Sequence, residues 1–268
     1  MKSALILGCG NMGSAIAQGL LEKRIFERQD LTLVERRQTP QTLSLEGKGV
    51  KLLAQLSDLA ERPELVILAV KPQDSGEAMD HLAERVGPET LIISIMAGVT
   101  LAKMRQHLPQ GKLIRAMPNT PSAILQGMTT FCGDPEVGQE ELAIAQVVLG
   151  ALGVAMEVEN ESFIDASTAV SGSGPAYVFY LAEAMMQAAL NFGFAPKDAR
   201  QLVTQTVMGA ATLLASSDEE AGDLRAKVTS KGGTTEAALN VFEDRGVKDG
   251  LIAGIEAAKA RSEELGRG

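Results

Sequence analysis

Chemically distinctive residues are scarce in this 268-residue chain, which has two cysteines, two histidines and no tryptophan. Cys9 and Cys132 are too few for a disulfide framework, which is typical of a protein in a reducing cytosol. His81 and His107 have no ligand partner at metal spacing, so we expect no metal site. So few histidines also leave no Ser-His-Asp or Cys-His arrangement to assemble. A reaction whose difficult step belongs to a cofactor fits this composition.

Long apolar runs and an excess of positive charge are also missing. No apolar run reaches the ~20 residues that span a bilayer. The formal charge of −9, with no long Lys/Arg block, argues against sequence-independent nucleic-acid binding. Hydrophobic residues make up 45% of the chain and charged residues 22%, as in soluble globular proteins. We therefore expect a cytoplasmic protein that binds neither nucleic acid nor membrane.

A glycine-rich loop near the start of the chain is the first motif with a mechanism. The apolar run Ser3–Leu7 predicts a strand, and helical periodicity begins at Ser14. Between them, in G-x-G-x-x-G spacing, stand Gly8, Cys9, Gly10, Asn11, Met12 and Gly13. In this strand–loop–helix context the first glycine makes the turn, the second admits a pyrophosphate and the third lets helix and strand pack. The loop predicts a dinucleotide-binding site.

The end of the next predicted strand, Leu31–Val34, carries the residues that would meet the ribose. Glu35 follows Gly13 by 22 residues, where an acid binds ribose hydroxyls and repels a 2′-phosphate. Arg36 and Arg37 come next and can either clamp that phosphate or remain solvated. The expected cofactor is therefore NADPH or NADH.

Strands and helices continue to alternate up to about residue 160. Thr39-Pro40 predicts the start of a helix through Glu46. Further strands are expected at 65–70, 91–95 and 113–117, with edge strands at 129–132 and 154–158. Because strand carboxyl ends face the ligand in such sheets, the predicted cofactor residues there are Ala69, Val70, Lys71, Pro72, Met96, Ala97 and Gly98. The turn after residue 117 either presents Asn119 to a substrate or is a purely structural proline turn.

Beyond Asn160 the pattern becomes helical, with Ala- and Met-rich faces that suit either an internal core or a dimer interface. The predicted fold is α/β, an N-terminal Rossmann doubly wound sheet over residues 1–159 followed by an all-helical domain over 160–268. Helices are expected over 163–170, 176–191, 196–216, 234–244 and 248–265.

Three polar interruptions punctuate the helical region. Glu161 is either a ligand contact or an ordinary first-turn acid. The run 171–175, which includes Ser173, breaks a helix and offers hydroxyl and N–H groups, or is a plain turn. The run 229–235 combines Ser230 with glycines and threonines before a helix. That run suits a carboxylate, or is a helix start capped by Thr234 or Thr235 with Glu236 in its first turn.

Six motifs in order resemble pyrroline-5-carboxylate reductases over nearly the whole chain. They are G-C-G-N-M-G at 8–13, A-V-K-P at 69–72, M-A-G-V-T at 96–100, R-A-M-P-N-T-P at 115–121, S-G-S-G-P-A-Y-V-F at 171–179 and V-T-S-K-G-G-T-T-E-A-A-L at 228–239. The resemblance implies NAD(P)H-dependent reduction of 1-pyrroline-5-carboxylate to L-proline. It also implies a helical dimerisation domain, dimers or larger rings, and active sites shared between two subunits.

The resemblance further assigns roles near the substrate. Backbone N–H groups of Gly233 and Thr234 would bind its carboxylate, Thr235 would act on the ring nitrogen as the catalytic residue, and Glu161 would lie beside it. The chain departs from the family at Lys231, where proline is usual, at Lys227 and at Glu35. The rival interpretations are a β-hydroxyacid dehydrogenase, whose catalytic helix lysine has no counterpart here, and a dinucleotide sensor without turnover.

Overall fold

The structure, a computed structural model, describes Met1 and residues 3–267. The chain divides into two compact units, Met1–Ser173 with Ala258–Gly268, and Gly174–Ala257. The domain boundary after residue 159 stays a prediction. In the described part of the chain, no helix combines the length and the apolar character needed to cross a membrane.

An eight-stranded sheet, counted over the described residues, forms the centre of the first unit. Its strands are β1 (Ala4–Leu7), β2 (Leu31–Val34), β3 (Lys51–Leu53), β4 (Leu65–Leu68), β5 (Leu91–Ser94), β6 (Lys112–Met117), β7 (Gly127–Gly133) and β8 (Gly153–Glu157). They lie in the order β3-β2-β1-β4-β5-β6-β7-β8 and pair in parallel, except for the antiparallel pair β6–β7. The direction of progression reverses between β1 and β4, which is where ligands bind in such sheets.

Helices follow most of the strands. Those that begin in the first unit are α1 (Asn11–Glu22), α2 (Pro40–Gly47), α3 (Ser75–Ala83), α4 (Leu101–His107), α5 (Gln139–Gly150) and α6 (Glu161–Ser167). The start of α2 confirms the Thr39-Pro40 prediction, since Thr39 and Thr42 form reciprocal capping bonds. Proline at the first helical position lacks only an N–H group that the helix would leave unpaired.

The core of the first unit lies on both faces of the sheet. All four residues of β4, Leu-Val-Ile-Leu, are buried, as expected of a central parallel strand. One face packs against Ile16 and Leu20 of α1. The other packs against Met79 and Leu82 of α3. The predicted doubly wound α/β architecture is confirmed.

The sheet differs from the sequence-based expectation in two places, one strand that was not predicted and one whose predicted edge position is wrong. Strand β3 was not expected, because Lys51–Leu53 is short and begins with a charged residue. The expected edge strand at 129–132 lies inside the sheet, since β7 pairs with both β6 and β8. Thr129 and Thr130 of this strand are both buried. The Thr130 hydroxyl is hydrogen bonded to that of Ser167, which makes a threonine tolerable there.

The predicted break at 171–175 is wrong as well. A π-helical stretch, Thr168–Gly172, follows α6, and the N–H of Ser173 donates to the Thr168 carbonyl at 2.8 Å. The chain continues directly into α7, which starts at Gly174. Because Pro175 stands in the first turn, its missing N–H costs the helix nothing. The first residues of the serine–glycine run, Ser171 and Gly172, belong to the π-helical turn, so no loop separates α6 from α7.

The second unit is entirely helical in its described residues. It contains α7 (Gly174–Asn191), α8 (Pro196–Ala215), α9 (Ala221–Lys227), α10 (Thr234–Asp244) and the start of α11 (Val247–Arg267). Ala189, Ala199 and Val203 are its buried hydrophobic residues. Large apolar side chains are exposed along the same helices, among them Phe179, Tyr180, Phe192, Met208 and Leu213.

Candidate active site

The glycine loop after β1 has a conformation that only glycine can supply at two positions. Gly8 has a φ of +93°, and a Cβ there would lie 2.7 Å from the backbone nitrogen of Val70. A Cβ on Gly13 would collide with the carbonyl oxygen of Gly8. Gly10 differs, since a Cβ there would meet no atom within 4 Å. The loop is therefore tightly packed at Gly8 and Gly13 and open at Gly10.

The N-terminus of α1 lies at this opening. Gly10 is the N-cap residue and provides no side-chain cap. Within the described residues, the N–H groups of Asn11, Met12 and Gly13 have no protein acceptor. Unpaired N–H groups and the helix dipole together favour an anion, and a phosphate group fits that position.

A cavity of about 670 Å³ adjoins the glycine loop. Of the predicted cofactor residues it is lined by Gly8, Gly10, Glu35, Arg36, Arg37, Ala69, Val70 and Lys71. Four further lining residues have polar side chains and were not predicted from the sequence: Gln55, Asp74, Glu77 and His81. The sequence offered one signal for these residues: Lys71-Pro72 ends a predicted strand and precedes a helix, which places that helix near the ligand edge of the sheet. Nothing in the local pattern shows which face of α3 meets the cavity.

Glu35 is fixed against the glycine loop. Its Oε2 accepts a hydrogen bond from the N–H of Cys9 at 2.7 Å, and its side chain is half-buried. Burial, and secondly the negative charge of Glu35, raises the pKa of the Cys9 thiol to about 12. The carboxylate is thereby held at the end of β2, beside the loop that would contact a pyrophosphate.

The two arginines after Glu35 are exposed. Arg36 Nη1 lies 3.8 Å from Glu77 Oε1 on α3. The guanidinium of Arg37 has no acidic partner among the residues that the structure describes. Both side chains are exposed surface cations, whereas the Glu35 carboxylate is half-buried and hydrogen bonded to the loop.

These residues fit a dinucleotide. Free N–H groups at a helix N-terminus, an uncrowded glycine, an acid at the ribose end and a cavity of cofactor size lie at one switch point. The residues that would hold the cofactor are those of the glycine loop, Glu35, and the strand end at Ala69–Lys71.

The predicted nicotinamide-side residues after β5 lie apart from this cavity. Met96 is buried, and Ala97 is exposed. Gly98 has a φ of +73°, and a Cβ there would approach the carbonyl oxygen of Leu265 at 3.1 Å. The close neighbour of Gly98 is thus the last part of α11. Neither this segment nor Pro72 lines the cavity, and their cofactor role stays a prediction.

Glu161 belongs to a buried ionic cluster centred on Arg115, which sequence analysis did not single out. Arg115 is 3% exposed and donates from Nη1 to Glu161 Oε1 at 3.0 Å and from Nη2 to Asp165 Oδ1 at 2.7 Å. Glu161 Oε1 also accepts from the N–H of Leu101 at 2.9 Å. Ser262 of α11 donates to Asp165 at 3.2 Å. The cluster therefore joins β6, α4, α6 and α11.

Asn119 acts as a structural clamp. Its Nδ2 donates to the Ser171 carbonyl at 2.9 Å, and its Oδ1 accepts from the N–H of Met128 at 2.9 Å. The structural alternative for this proline turn is the one that the geometry supports. Ser173, two residues after Ser171, directly follows the π-helical stretch, and its N–H donates to the Thr168 carbonyl.

The loop before α10 differs from the expected cap. Gly233, not Thr234 or Thr235, is the N-cap residue, and no side chain caps the helix. The carboxylate of Glu236 accepts instead from the N–H of Gly232 at 2.7 Å, which closes the loop. The N–H of Gly233 donates to the Ser230 carbonyl at 3.0 Å, so this predicted donor to the substrate already has an acceptor.

The donors that remain open belong to the first turn of α10. Within the described residues, the N–H groups of Thr234, Thr235 and Glu236 have no protein acceptor, and the Thr235 hydroxyl has no partner. Lys231 is exposed. The arrangement can accept a carboxylate and present one hydroxyl beside it.

The fold and the glycine-loop site define a dinucleotide-binding oxidoreductase of the doubly wound class. Residues 3–98 match a family described as NADP oxidoreductase, coenzyme F420-dependent, and residues 161–265 match pyrroline-5-carboxylate reductase dimerisation. The pyrroline-5-carboxylate reductase of Synechocystis sp. is 35% identical over 262 residues, 98% of this chain and 97% of its own. The chain belongs to the pyrroline-5-carboxylate reductase family and is an NAD(P)H-dependent oxidoreductase.

Solved structures are similar over the same extent. The pyrroline-5-carboxylate reductase of Coxiella burnetii superposes with a TM-score of 0.91 at 31% identity, covering 98% of each chain. A Plasmodium falciparum pyrroline carboxylate reductase, solved with NADP bound, superposes with a TM-score of 0.88 at 26% identity, again over 98% of each chain. The resemblance read from the six motifs is confirmed.

Proposed function

We propose that this protein catalyses the last step of proline biosynthesis, the reduction of 1-pyrroline-5-carboxylate to L-proline with NAD(P)H. The observation that carries the proposal is the family membership over almost the entire chain. The glycine loop and its cavity supply a binding site for the hydride donor. The open first turn of α10 supplies a second site, for an anionic substrate.

The carboxylate of the substrate is bound by the first turn of α10. The N–H groups of Thr234, Thr235 and Glu236 point out of a helix of 11 residues, and the helix dipole adds positive potential at the same end. Ser230 and Gly233 contribute indirectly, because their backbone bond holds the loop in place. Binding at this end fixes the ring before any bond changes.

The ring nitrogen is assigned to Thr235. Its hydroxyl has no protein partner in the described part of the chain, and its own N–H is one of the open donors in the first turn of α10. The bound dinucleotide supplies a hydride to the imine carbon. The ring nitrogen is protonated before this transfer, so the substrate reacts as the iminium ion. The C=N π electrons then move onto nitrogen and leave a neutral amine, and the Thr235 hydroxyl stabilises that nitrogen as the amine forms. No strong base is required, in keeping with the scarcity of histidine.

Glu161 is assigned to the substrate side. Arg115 and the N–H of Leu101 occupy its Oε1. Its Oε2 has no protein partner among the described residues, so this oxygen remains for a ligand. Ser173, at the start of the long helix α7, is assigned to the same side.

The reaction is tested by steady-state assays of pyrroline-5-carboxylate reduction with NADH and NADPH in parallel. We expect oxidation of reduced dinucleotide that depends on the substrate and yields L-proline. If neither dinucleotide is oxidised, the proposed activity is excluded.

The role of Thr235 is tested by Thr235→Ala. We expect kcat to fall by about 100-fold, because one stabilising group at the reacting atom is lost, while the dinucleotide Kd stays unchanged. Thr229→Ala is the matched control, since its hydroxyl only donates to the Arg225 carbonyl within α9. Unchanged kcat in Thr235→Ala would remove the residue from the mechanism.

The wider setting of the enzyme follows from the same assignment. We assign residues 1–159 to cofactor binding and 160–268 to dimerisation and substrate binding, supported by a dimerisation match that starts at 161. Each active site combines the glycine loop of one subunit with the α10 loop of another, in a homodimer or a larger ring. The free thiols of Cys9 and Cys132 suit a cytoplasmic enzyme, which acts without nucleic acid or membrane.

A further inference from the structure

The residue at the ribose end of the cavity has a fixed position, which the sequence alone does not show. Val34 pairs with Leu7 in the sheet, so Glu35 follows directly beside Gly8. Its Oε2 accepts from the N–H of Cys9 at 2.7 Å, and the half-buried side chain lines the cavity. The carboxylate therefore occupies a defined place one residue from the open glycine.

We propose that Glu35 makes this cavity select NADH over NADPH, an inference that rests on the proposed use of a nicotinamide dinucleotide. A carboxylate at this place accepts hydrogen bonds from the ribose 2′- and 3′-hydroxyls. A 2′-phosphate carries a charge of about −1.5 to −2 at neutral pH and is repelled by the same carboxylate.

The neighbouring arginines do not offset this repulsion. Arg36 and Arg37 are exposed, and Arg36 lies 3.8 Å from Glu77. Charges on exposed side chains are screened by solvent and contribute little compared with a half-buried, hydrogen-bonded group. The cavity wall also balances its cations, Arg36, Arg37 and Lys71, with the acids Glu35, Asp74 and Glu77. No surplus of positive charge in this lining remains for an additional phosphate.

Glu35→Gln separates the charge from the hydrogen bond. A glutamine oxygen can still accept from the Cys9 N–H and keep the glycine loop in place, while the negative charge is lost. Glu84→Gln is the matched control, because Glu84 is an exposed acid at the far end of α3 and does not line the cavity. It changes the net charge of the protein by the same amount.

The measurement is the Kd of NADH and of NADPH for each variant, by calorimetry and without substrate. We expect the wild type and Glu84→Gln to bind NADH at least about tenfold more tightly than NADPH. In Glu35→Gln the ratio of the two constants moves at least about tenfold towards NADPH. Equal or tighter binding of NADPH by the wild type overturns the inference, and so does an unchanged ratio in Glu35→Gln.

Arg37→Ala tests the opposite assignment. If Arg37 clamps a 2′-phosphate, this variant loses NADPH affinity at least tenfold while NADH affinity stays the same, and the inference is wrong. Binding without preference would exclude the role of Glu35 but leave the reductase assignment intact. Selective binding of NADH without reduction of pyrroline-5-carboxylate would support the role of Glu35 and exclude the reductase assignment. The two dissociation constants of the wild type, together with the activity assay, are enough to tell these two outcomes apart.

Discussion

Gly10 and Gly13 stand three residues apart in one loop, but the space around them differs: a side chain has no room at Gly13 and open space at Gly10. A methyl group on Gly13 would collide with the backbone of Gly8, which cannot move without breaking the turn against Val70. A methyl group on Gly10 meets nothing and projects where a ligand would approach. One glycine is therefore required by the fold and the other by the cavity.

This difference predicts two distinct phenotypes. Gly13→Ala should lower the free energy of unfolding by about 3 kcal/mol or more, because the overlap is with backbone atoms. Gly10→Ala should unfold within about 0.5 kcal/mol of the wild type but bind dinucleotide more weakly. Urea denaturation and calorimetric titration of both variants provide the check. Similar stability of the two would contradict the assignment.

Cys9 predicts a loss of stability at alkaline pH. Its thiol has a pKa raised from 9.0 to about 12 in the fold, chiefly by burial. The unfolded chain releases this proton first, so the stabilisation is complete below about pH 9 and is lost as the pH rises towards 12. Between pH 7 and pH 10 the loss from this group amounts to about 1.4 kcal/mol. Urea denaturation of Cys9→Ala at both pH values should show a smaller decline than the wild type.

The features that could be predicted from the sequence are those that depend on residues close together along the chain. The glycine loop and Glu35 were recognised because strand, loop and acid stand at fixed spacings in one βαβ unit. Arg115 and Glu77 were not recognised. The partners of Arg115 lie 46 and 50 residues away, and Glu77 on α3 lies far along the chain from Arg36, its ion-pair partner. Pairings over such separations are set by topology, which a local pattern does not encode.

Among the elements, α6 shows how a buried charge can organise several segments. Arg115 on β6 holds Glu161 and Asp165, one turn apart on α6, and Ser262 of α11 bonds to Asp165. Glu161 also satisfies an N–H group in the first turn of α4. Removal of the cation leaves two carboxylates in a largely buried place with no compensating charge.

Arg115→Met should therefore destabilise the first unit by about 3 to 5 kcal/mol, the usual cost of breaking a buried ion pair on one side. Lys259→Met is the control, since it removes an exposed pair with Glu263 and should cost less than about 0.5 kcal/mol. Urea denaturation measures both. Equal effects would mean that the Arg115 cluster contributes no more than a surface ion pair.

At the scale of the whole molecule, the second unit buries few hydrophobic side chains, namely Ala189, Ala199 and Val203. Phe179, Tyr180 and Phe192 are 66%, 73% and 79% exposed. Exposed aromatic residues in such number are typical of a surface that another chain covers. This agrees with the dimerisation family that matches residues 161–265.

The proposal that each active site combines the glycine loop of one subunit with the α10 loop of another makes a prediction that sites within single subunits do not. Gly10→Val, whose added side chain enters open space in the cavity, should abolish cofactor binding, and Thr235→Ala should abolish most turnover. When the two are unfolded and refolded together, a mixed dimer contains one site with an intact glycine loop from one chain and an intact Thr235 from the other. A random mixture should then regain about a quarter of the wild-type activity. If each site is built within one chain, every site keeps a defect and the mixture stays as inactive as its components.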